Sequence, residues 1–358
     1  MKAVISAAEA LLPANGEMLE LGTRGLPELL DRGPTRRFIP MRNWRVRLSG
    51  SRLHPATSRK ARVYRAALRA WVLPGAARLT HCVEKRRSGE WPLGDLLLQD
   101  MPELATAAVS VGIPGPAQKV TAQLMDGWGR VLGFAKYADN SYTRSLLANE
   151  VRMLDLLPGG VAPEVVLFTP FLDGELLVQT ALPGRPRTPH LRLDGAQVDF
   201  FGRLVRFGEV YPASEHPFIA SARVRAGERG GMAEGIFERL ESSRWPVAWQ
   251  HGDMAPWNMH WWRGRCLAFD WEHGKEKGFP YLDAAAALIQ VSTIIRRMEP
   301  RRAKSSVSEG LREALPASYA RFAPEIAALS ALDMILSWYP PRPPDANLRW
   351  LEEFIEAP

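Results

Sequence analysis

The most restrictive feature of the chain is a polar loop between two short apolar runs. The first run covers residues 245–250 and leads directly into the loop His-Gly-Asp-Met-Ala-Pro-Trp-Asn, and the second covers residues 265–269. Short apolar runs bounded by glycine and polar residues predict β-strands. Asp253 and Asn258 stand five residues apart in the loop, and Asp270 follows the second run. We therefore expect a loop and a neighbouring strand end to bring these three side chains together.

These residue types in this order suit phosphoryl transfer. That reaction leaves a protein mainly positioning and charge neutralisation to do. Asp253 is placed to accept the proton of an attacking hydroxyl, while Asn258 and Asp270 offer the oxygen ligands that Mg²⁺ prefers. For any one of the three, an ordinary surface turn is the plainer interpretation. The complete loop together with the second aspartate favours a catalytic site.

The loop also resembles a known family. The segment is similar to the catalytic segment of the aminoglycoside phosphotransferase and choline kinase superfamily, which has the protein-kinase-like fold. The shared order is His-Gly-Asp, four residues, Asn, and then an apolar strand that ends in Asp-Trp-Glu. The variant Ala-Pro-Trp-Asn resembles uncharacterised phosphotransferases of bacterial polysaccharide clusters. The resemblance implies ATP and Mg²⁺ as cofactors, and it makes His251 a structural brace rather than the base. Glu272 is a further candidate, either for a second Mg²⁺ or for fixing the loop.

A nucleotide-binding lobe is predicted ahead of this loop. Residues 107–111, 119–125 and 131–137 alternate as strands do, with glycine-containing turns between them. The loop with Gly112 and Gly115 has backbone N–H groups that can cover phosphates, although its two prolines fit an ordinary tight loop equally well. No Walker A sequence follows it.

Lys136 and Glu150 are predicted to form an ion pair. Lys136 lies in the third strand, and Glu150 lies fourteen residues later on an amphipathic helix over 145–154. The resemblance implies that this lysine holds the nucleotide's phosphates and that the glutamate holds the lysine.

A hairpin about residues 173–174 completes a five-stranded sheet. A hinge over 181–184 follows, and the resemblance implies adenine binding by the backbone around Thr180 and Ala181.

The predicted fold is α+β: a protein-kinase-like, two-lobe fold with a basic N-terminal extension. Its small lobe, residues 105–182, has the antiparallel five-stranded sheet plus a helix, and its larger lobe, 183–358, is mostly helical. We expect helices over 194–210, 232–242 and 282–298, and we expect Asp283 to cap or brace the last of them.

The extension, residues 1–104, is expected to be mostly helical and carries the whole basic excess. It has 18 Lys and Arg against 10 Asp and Glu, whereas the chain's net charge is +7. An anionic membrane surface, an anionic substrate and nucleic acid are the partners that such charge attracts. A solvated helix face is the alternative. Nucleic acid is disfavoured because no binding motif accompanies the charge.

A cytoplasmic protein is expected, because two cysteines make no disulfide framework and the N-terminal residues are too weakly apolar for a signal peptide. The predicted function is an ATP- and Mg²⁺-dependent phosphotransferase acting on a hydroxyl of a small molecule, favoured to be a sugar or saccharide intermediate. Four tryptophans near the loop suit sugar rings or a core equally well: Trp257, Trp261, Trp262 and Trp271. The alternative is a nucleotide-binding pseudokinase that regulates polysaccharide assembly.

Overall fold

The structure is a computed structural model that describes residues 2–21, 36–53, 59–74, 83–86, 89–227, 230–338 and 346–357. The chain divides into two compact units. The first, here called the sheet unit, comprises Met1–Val151 with Pro163–Leu182; the second, the helical unit, comprises Arg152–Ala162 with Pro183–Pro358. The chain crosses between the units three times, and the third crossing, after Leu182, falls in the predicted hinge. The chain is α+β, as predicted.

Within its described residues, the sheet unit contains one antiparallel sheet of eight strands. The strands are β1 Gly16–Leu21, β2 Arg37–Pro40, β3 Val83–Arg86, β4 Thr106–Val111, β5 Val120–Met125, β6 Val131–Ala138, β7 Val165–Phe171 and β8 Gly174–Thr180. Their spatial order is β3-β1-β2-β4-β5-β6-β8-β7. Its helices are α1 Lys2–Leu11, α2 Trp44–Gly50, α3 Arg59–Val72, α4 Pro92–Leu96 and α5 Ser141–Leu156, the last of which continues into the helical unit from Arg152.

The sheet is wider than the sequence predicts. Strands β4 to β8 are the predicted five, but β1, β2 and β3 from the N-terminal hundred residues extend it through β2, which pairs with β4. The described part of residues 1–104 is therefore joined to the sheet instead of forming a separate extension, although its helices hold more residues than its strands. Helix α3 covers the added strands, where its Tyr64 and Leu68 pack against Leu19 and Ile39. Burial of these apolar side chains stabilises the addition.

The helical unit surrounds one large core with helices. They are α6 Gly195–Arg203, α7 Pro217–Ala226, α8 Gly230–Leu240, α9 Leu282–Gln290, α10 Pro300–Ala314, α11 Ala317–Ala320, α12 Ala323–Trp338 and α13 Ala346–Glu356. Five short strands accompany them: β9 Val205–Pro212, β10 Arg244–Gln250, β11 Met259–Trp262, β12 Arg265–Ala268 and β13 Lys275–Gly278. Strands β13, β10 and β9 form one sheet, and β11 pairs with β12.

Helix α9 lies at the centre of this core. Every residue of α9 is buried, which explains its almost wholly apolar sequence, because a helix packed on all sides has no solvated face. It ends earlier than predicted, at Gln290, where a π-helical turn, Val291–Ile295, follows. Such turns are rare and occur often at functional sites. Across the described residues, no helix has the length and apolar character needed to cross a membrane.

The predicted helix over 194–210 is wrong in its second half. Helix α6 stops at Arg203, and the chain continues as β9, which pairs with β10. Asp194 caps α6 by accepting from the Gln197 N–H, and the Gln197 side chain accepts from the Asp194 N–H in return. The start was therefore readable from the sequence. The end was not, because β9 depends on a strand that is distant in the sequence.

Candidate active site

The polar loop begins where β10 ends. Gly252 has a φ of +81°, and a Cβ at this position would lie 2.3 Å from the carbonyl oxygen of His273. Both the backbone conformation and the space therefore require glycine. The His-Gly-Asp order thus reflects a close approach between the loop and the turn that follows Asp270.

Asp283 on α9 clamps this loop. Its Oδ2 accepts from the backbone N–H of His251 at 2.5 Å, and its Oδ1 accepts from that of Gly252 at 3.1 Å. Burial raises the pKa of Asp283 to about 7, although the two N–H donors favour its ionised form. The expectation that Asp283 caps or braces its own helix is corrected here, since it braces the catalytic loop instead. At the start of α9, Tyr281 has a left-handed φ of 63° and provides no side-chain cap.

His251 also holds the loop in place. Its Nδ1 accepts from the Asp253 backbone N–H at 3.3 Å, so the proton of the neutral ring belongs on Nε2, which donates to the Phe269 carbonyl oxygen at 2.9 Å. The ring packs against Trp271. Both ring nitrogens are engaged with backbone groups, so the ring holds the backbone of the loop. The role of His251 as a structural brace for catalysis stays a prediction.

Asp253 has the electrostatic surroundings of a base that works near neutral pH. Burial, and then the negative charges of Asp270, Glu272 and Asp283, raise its pKa to about 7. Gln290, the last residue of α9, points its Nε2 at Asp253 Oδ1 from 3.5 Å, the outer limit of a hydrogen bond. Sequence reasoning missed Gln290. A buried glutamine at the end of an otherwise apolar helix is the signal that was available.

Asn258 and Asp270 are brought together by backbone hydrogen bonds. The Phe269 N–H donates to the Asn258 carbonyl oxygen at 3.1 Å, which ties the loop to the residue before Asp270. Asn258 Nδ2 donates to the Asp253 carbonyl oxygen at 3.1 Å, and this bond orients the amide so that its Oδ1 is the remaining polar atom. Asp270 has a left-handed backbone, with φ 73° and ψ 52°. Residues other than glycine seldom adopt this backbone conformation, and those that do are often found at functional sites.

These oxygens suit a Mg²⁺ ion by chemical type. Asn258 supplies an amide oxygen, while Asp270 and Glu272 supply carboxylates whose charge is felt at Asp253. Hard divalent cations prefer such oxygen ligands. Glu272 Oε1 also lies 3.6 Å from His273 Nε2, which fits the alternative that it fixes the turn. The donor set therefore fits the predicted cation.

In the sheet unit, Lys136 and Glu150 form a buried ion pair. Lys136 Nζ lies 2.7 and 2.8 Å from the two carboxylate oxygens of Glu150. Only 8% of Lys136 and none of Glu150 is exposed. Ala138, Leu147 and Leu177 pack together beside the pair, so the charges sit in a low-dielectric setting that strengthens their attraction.

The backbone N–H groups predicted to meet a nucleotide are already engaged. Gly112 donates to the Lys119 carbonyl oxygen at 2.9 Å, Thr180 to Glu164 at 2.9 Å and Ala181 to Leu132 at 3.0 Å. Gly115 accepts from the Gln118 N–H instead. These bonds close the Gly112–Gly115 loop on itself and fix the end of β8. A ligand bound there would therefore meet atoms other than these three N–H groups.

Gln179 is a second residue that sequence reasoning missed. Lys136 faces Leu177, and Phe134 faces Gln179, in the register of β6 with β8. Side chains alternate along a strand, so Gln179 lies on the same face as Lys136. It is 2% exposed, and its Oε1 has no partner among the described residues. A glutamine inside the apolar strand Leu-Leu-Val-Gln-Thr is the signal that was available.

A buried charge network supports the loop from behind. Asp333 on α12 accepts from Gln250 at 2.8 Å, and Lys275 Nζ lies 2.7 Å from both of its oxygens. Arg225 joins from α7 at 3.2 Å. Lys275, Arg225 and Gln250 hold the pKa of Asp333 below its usual value, against the effect of burial. Because Gln250 directly precedes His251, the network fixes the point where the loop leaves β10.

The four tryptophans divide between the core and the surface. Trp271 is fully buried and Trp261 is 9% exposed, whereas Trp262 is 39% exposed. The Trp271 Nε1–H donates to the Ala268 carbonyl oxygen at 3.0 Å. Trp271 therefore serves the core beside His251. Trp257 is half-buried.

Comparisons with known proteins give structural neighbours only. No protein-family model matches the sequence, and no curated protein matches it. The chain is similar to the "Putative fructosamine-3-kinase from Haemophilus somnus 129PT", with 12% identity and a TM-score of 0.44 over 74% of this chain and 95% of that one. It is also similar to choline kinase from Cryptosporidium parvum Iowa II, with 10% identity and a TM-score of 0.39 over 72% and 88%. Both carry the names of small-molecule kinases, the class that the catalytic loop resembles.

Proposed function

We propose that this chain is a phosphotransferase that moves the γ-phosphate of ATP, with Mg²⁺, to a hydroxyl group of a small molecule, favoured to be a sugar or a saccharide intermediate. The observation that carries the proposal is the state of Asp253. Its pKa is raised to about 7, and its loop is clamped by Asp283 and His251. A group that titrates near neutral pH can accept and release a proton under working conditions.

The proposed reaction is an in-line displacement at phosphorus. The acceptor's hydroxyl oxygen forms a bond to the γ-phosphorus while the bond from that phosphorus to the β–γ bridging oxygen breaks. ADP leaves with the bridging oxygen, and the hydroxyl proton passes to the carboxylate of Asp253. Asn258 and Asp270 would hold Mg²⁺, with Glu272 as a further ligand. When bound, the cation neutralises charge on the phosphates.

The ion pair of the sheet unit supports a role in holding phosphate. Glu150 fixes the Lys136 ammonium on the face of the sheet, so a phosphate oxygen would meet a positive charge that needs no rearrangement. We assign Gly112, Gly115, Thr180 and Ala181 to the nucleotide's surroundings, through atoms other than the engaged N–H groups.

We also propose a cytoplasmic location and contact between the basic N-terminal residues and an anionic membrane surface. Burial, followed by the charges of Arg69 and Arg52, lowers the pKa of Arg65. The positive charges of Arg69 and Arg52 thus act on Arg65, and basic side chains of this kind attract anionic lipid headgroups.

Phosphate transfer from ATP to a panel of small molecules tests the proposed function. Sugars, aminoglycosides, choline-like amines and a crude metabolite extract are each incubated with Mg²⁺ and protein, and mass spectrometry detects a gain of one phosphate. Asp253→Asn is the matched control. We expect a phosphorylated product that disappears in the control. Mg²⁺-dependent nucleotide binding without any product would instead favour the regulatory pseudokinase.

A further inference from the structure

A cavity of about 480 Å³ lies beside the catalytic loop within the helical unit. Its wall includes Pro256 from the loop, Trp261 from β11, and Ala287 and Val291 from the end of α9 and the turn after it. The segment before α6 forms the opposite side. The volume falls in the range of small-molecule sites.

One face of α9 connects this cavity to the catalytic groups. Asp283, Ala287 and Gln290 follow one another at intervals of four and three residues, which places them on the same side of the helix. Asp283 holds the backbone of the loop, and Gln290 reaches Asp253. Ala287, between them, lines the cavity. The cavity therefore lies along the side of α9 from which Gln290 reaches the proposed base.

The ionisable side chains that line the cavity are mainly basic. Arg187, His190 and Arg192 line it, and Asp194 is the one carboxylate among the described lining residues. The Asp194 carboxylate is occupied within the protein. Its Oδ1 accepts from the Gln197 N–H at 2.9 Å, and its Oδ2 accepts from Trp261 Nε1 at 2.9 Å and from Arg187 at 3.1 Å.

Arg192 is the cation that is best able to meet a ligand. Its partners are Glu309 at 3.3 Å and Glu313 at 3.2 Å, and its side chain is 67% exposed. Ion pairs this exposed hold their partners weakly. A carboxylate or phosphate group entering the cavity could exchange with them and form a charge-assisted, bidentate contact with the guanidinium group.

We infer that this cavity binds the acceptor, and that the acceptor is an anionic sugar, bearing a carboxylate or phosphate group besides the hydroxyl that receives phosphate. The inference rests on the proposed function and narrows it. Among the described residues that line the cavity, Asp194 is the single carboxylate, which is too few for a polycationic aminoglycoside. Nor do these described lining residues form an open aromatic cage for a quaternary ammonium, since the Arg187 guanidinium lies 5.6 Å from the centre of the Trp261 ring.

Binding and transfer are measured with four probes: glucuronate, glucose 6-phosphate, glucose and glucosamine. Calorimetry at low salt gives affinities with the non-hydrolysable ATP analogue and Mg²⁺ present, and mass spectrometry gives transfer from ATP. The variants are Arg192→Gln and Arg192→Glu. Arg302→Gln, which replaces an exposed arginine on α10 away from the cavity, is the matched control.

We expect wild-type protein to bind at least one anionic probe about tenfold or more tightly than glucose, an effect of the size that charge-assisted contacts give. Arg192→Gln should remove most of that preference and Arg192→Glu should reverse it, while Arg302→Gln keeps it. Glucuronate against glucose 6-phosphate tells whether the recognised group is a carboxylate or a phosphate.

The inference is overturned if neither anionic probe binds more tightly than glucose, or if both Arg192 variants keep the preference. The proposed function would still be supported after such results if the wild type phosphorylates glucose or glucosamine and the Asp253→Asn variant does not. The wild type could instead bind an anionic probe preferentially but transfer phosphate to no compound. That result would support the cavity's preference for anionic ligands and count against the proposed function.

Discussion

At the scale of single residues, the chemistry depends on one carboxyl group. Asp253 is partly buried among Asp270, Glu272 and Asp283, and its pKa is raised to about 7 by burial first and by these charges second. The arrangement opposes ionisation without preventing it. It also costs stability, because the folded chain must hold several like charges close together.

Transfer should therefore increase with pH through about 7, because Asp253 accepts a proton only when ionised. The rate should fall about tenfold for each pH unit below that value, if no other group limits it. Measuring kcat/KM, which reports the groups of the free protein, between pH 5.5 and 8.5 checks this. A flat profile would contradict the role of Asp253 as base.

Asp253→Asn should make the protein more stable than wild type above pH 7, by roughly 1 kcal/mol. The folded-state pKa of Asp253 lies above its ordinary value. Its contribution to stability is therefore greatest at low pH and is lost as the pH rises toward 7. Thermal unfolding of both proteins at pH 5 and pH 8 provides the test. Lower stability of the variant at pH 8 would show that the ionised carboxylate is held by a partner.

Gln179→Leu should raise the free energy of unfolding by about 1 kcal/mol, because an unpartnered buried oxygen carries a desolvation cost. The Oε1 of Gln179 is such an atom among the described residues. Chemical denaturation of ligand-free protein measures the change, with Gln179→Glu as the comparison expected to destabilise. A loss of stability in the leucine variant would mean that the amide has a partner in solution.

At the scale of elements, α9 organises the site. Asp283 at its start holds the loop, and Gln290 at its end reaches Asp253.

Asp283→Ala should destabilise the protein by about 2–4 kcal/mol, because two buried N–H groups lose their acceptor. It should also abolish transfer. Thermal unfolding and the transfer assay test both effects, and a variant with normal stability would contradict the clamp.

The basic helix α3 supports a separate prediction about partners. If Arg65, Arg69 and Arg52 meet anionic headgroups, sedimentation with phosphatidylserine vesicles should be strong at about 0.05 M salt and weak at about 0.5 M. Arg65→Gln combined with Arg69→Gln should weaken it, while Arg302→Gln should not. Equal binding to neutral vesicles would contradict an electrostatic contact, and preference for a DNA duplex would transfer the role to nucleic acid.

Local pattern predicted those elements whose partners are close in the sequence. Strands β4 to β8 and helix α5 follow one another along the chain, so alternation and turns were sufficient. Strands β1 to β3 were missed, and β9 was predicted as helix, because their pairing depends on residues far away in the sequence. The site divides in the same way. Asp253, Asn258 and Asp270 could be proposed from one short segment of the sequence, and their roles stay predictions, whereas the contacts made by α9 could not be predicted.

At the scale of the whole molecule, the two units contain different groups of the proposed chemistry. The sheet unit has the buried pair of Lys136 and Glu150. The helical unit has the proposed base and the proposed cation ligands. The net positive charge of +7 is concentrated in the N-terminal residues, which include strands and helices of the sheet unit.

The most direct test of the central claim compares wild type, Asp253→Asn and Asp270→Asn in one experiment that measures Mg²⁺-dependent ATP binding and phosphate transfer to the preferred acceptor. We predict that Asp253→Asn keeps ATP binding within about threefold and loses transfer by about a hundredfold or more. Asp270→Asn should lose transfer and also the Mg²⁺ dependence of ATP binding. Undiminished transfer by Asp253→Asn would contradict the assignment of Asp253 as the base, and with it the proposed mechanism.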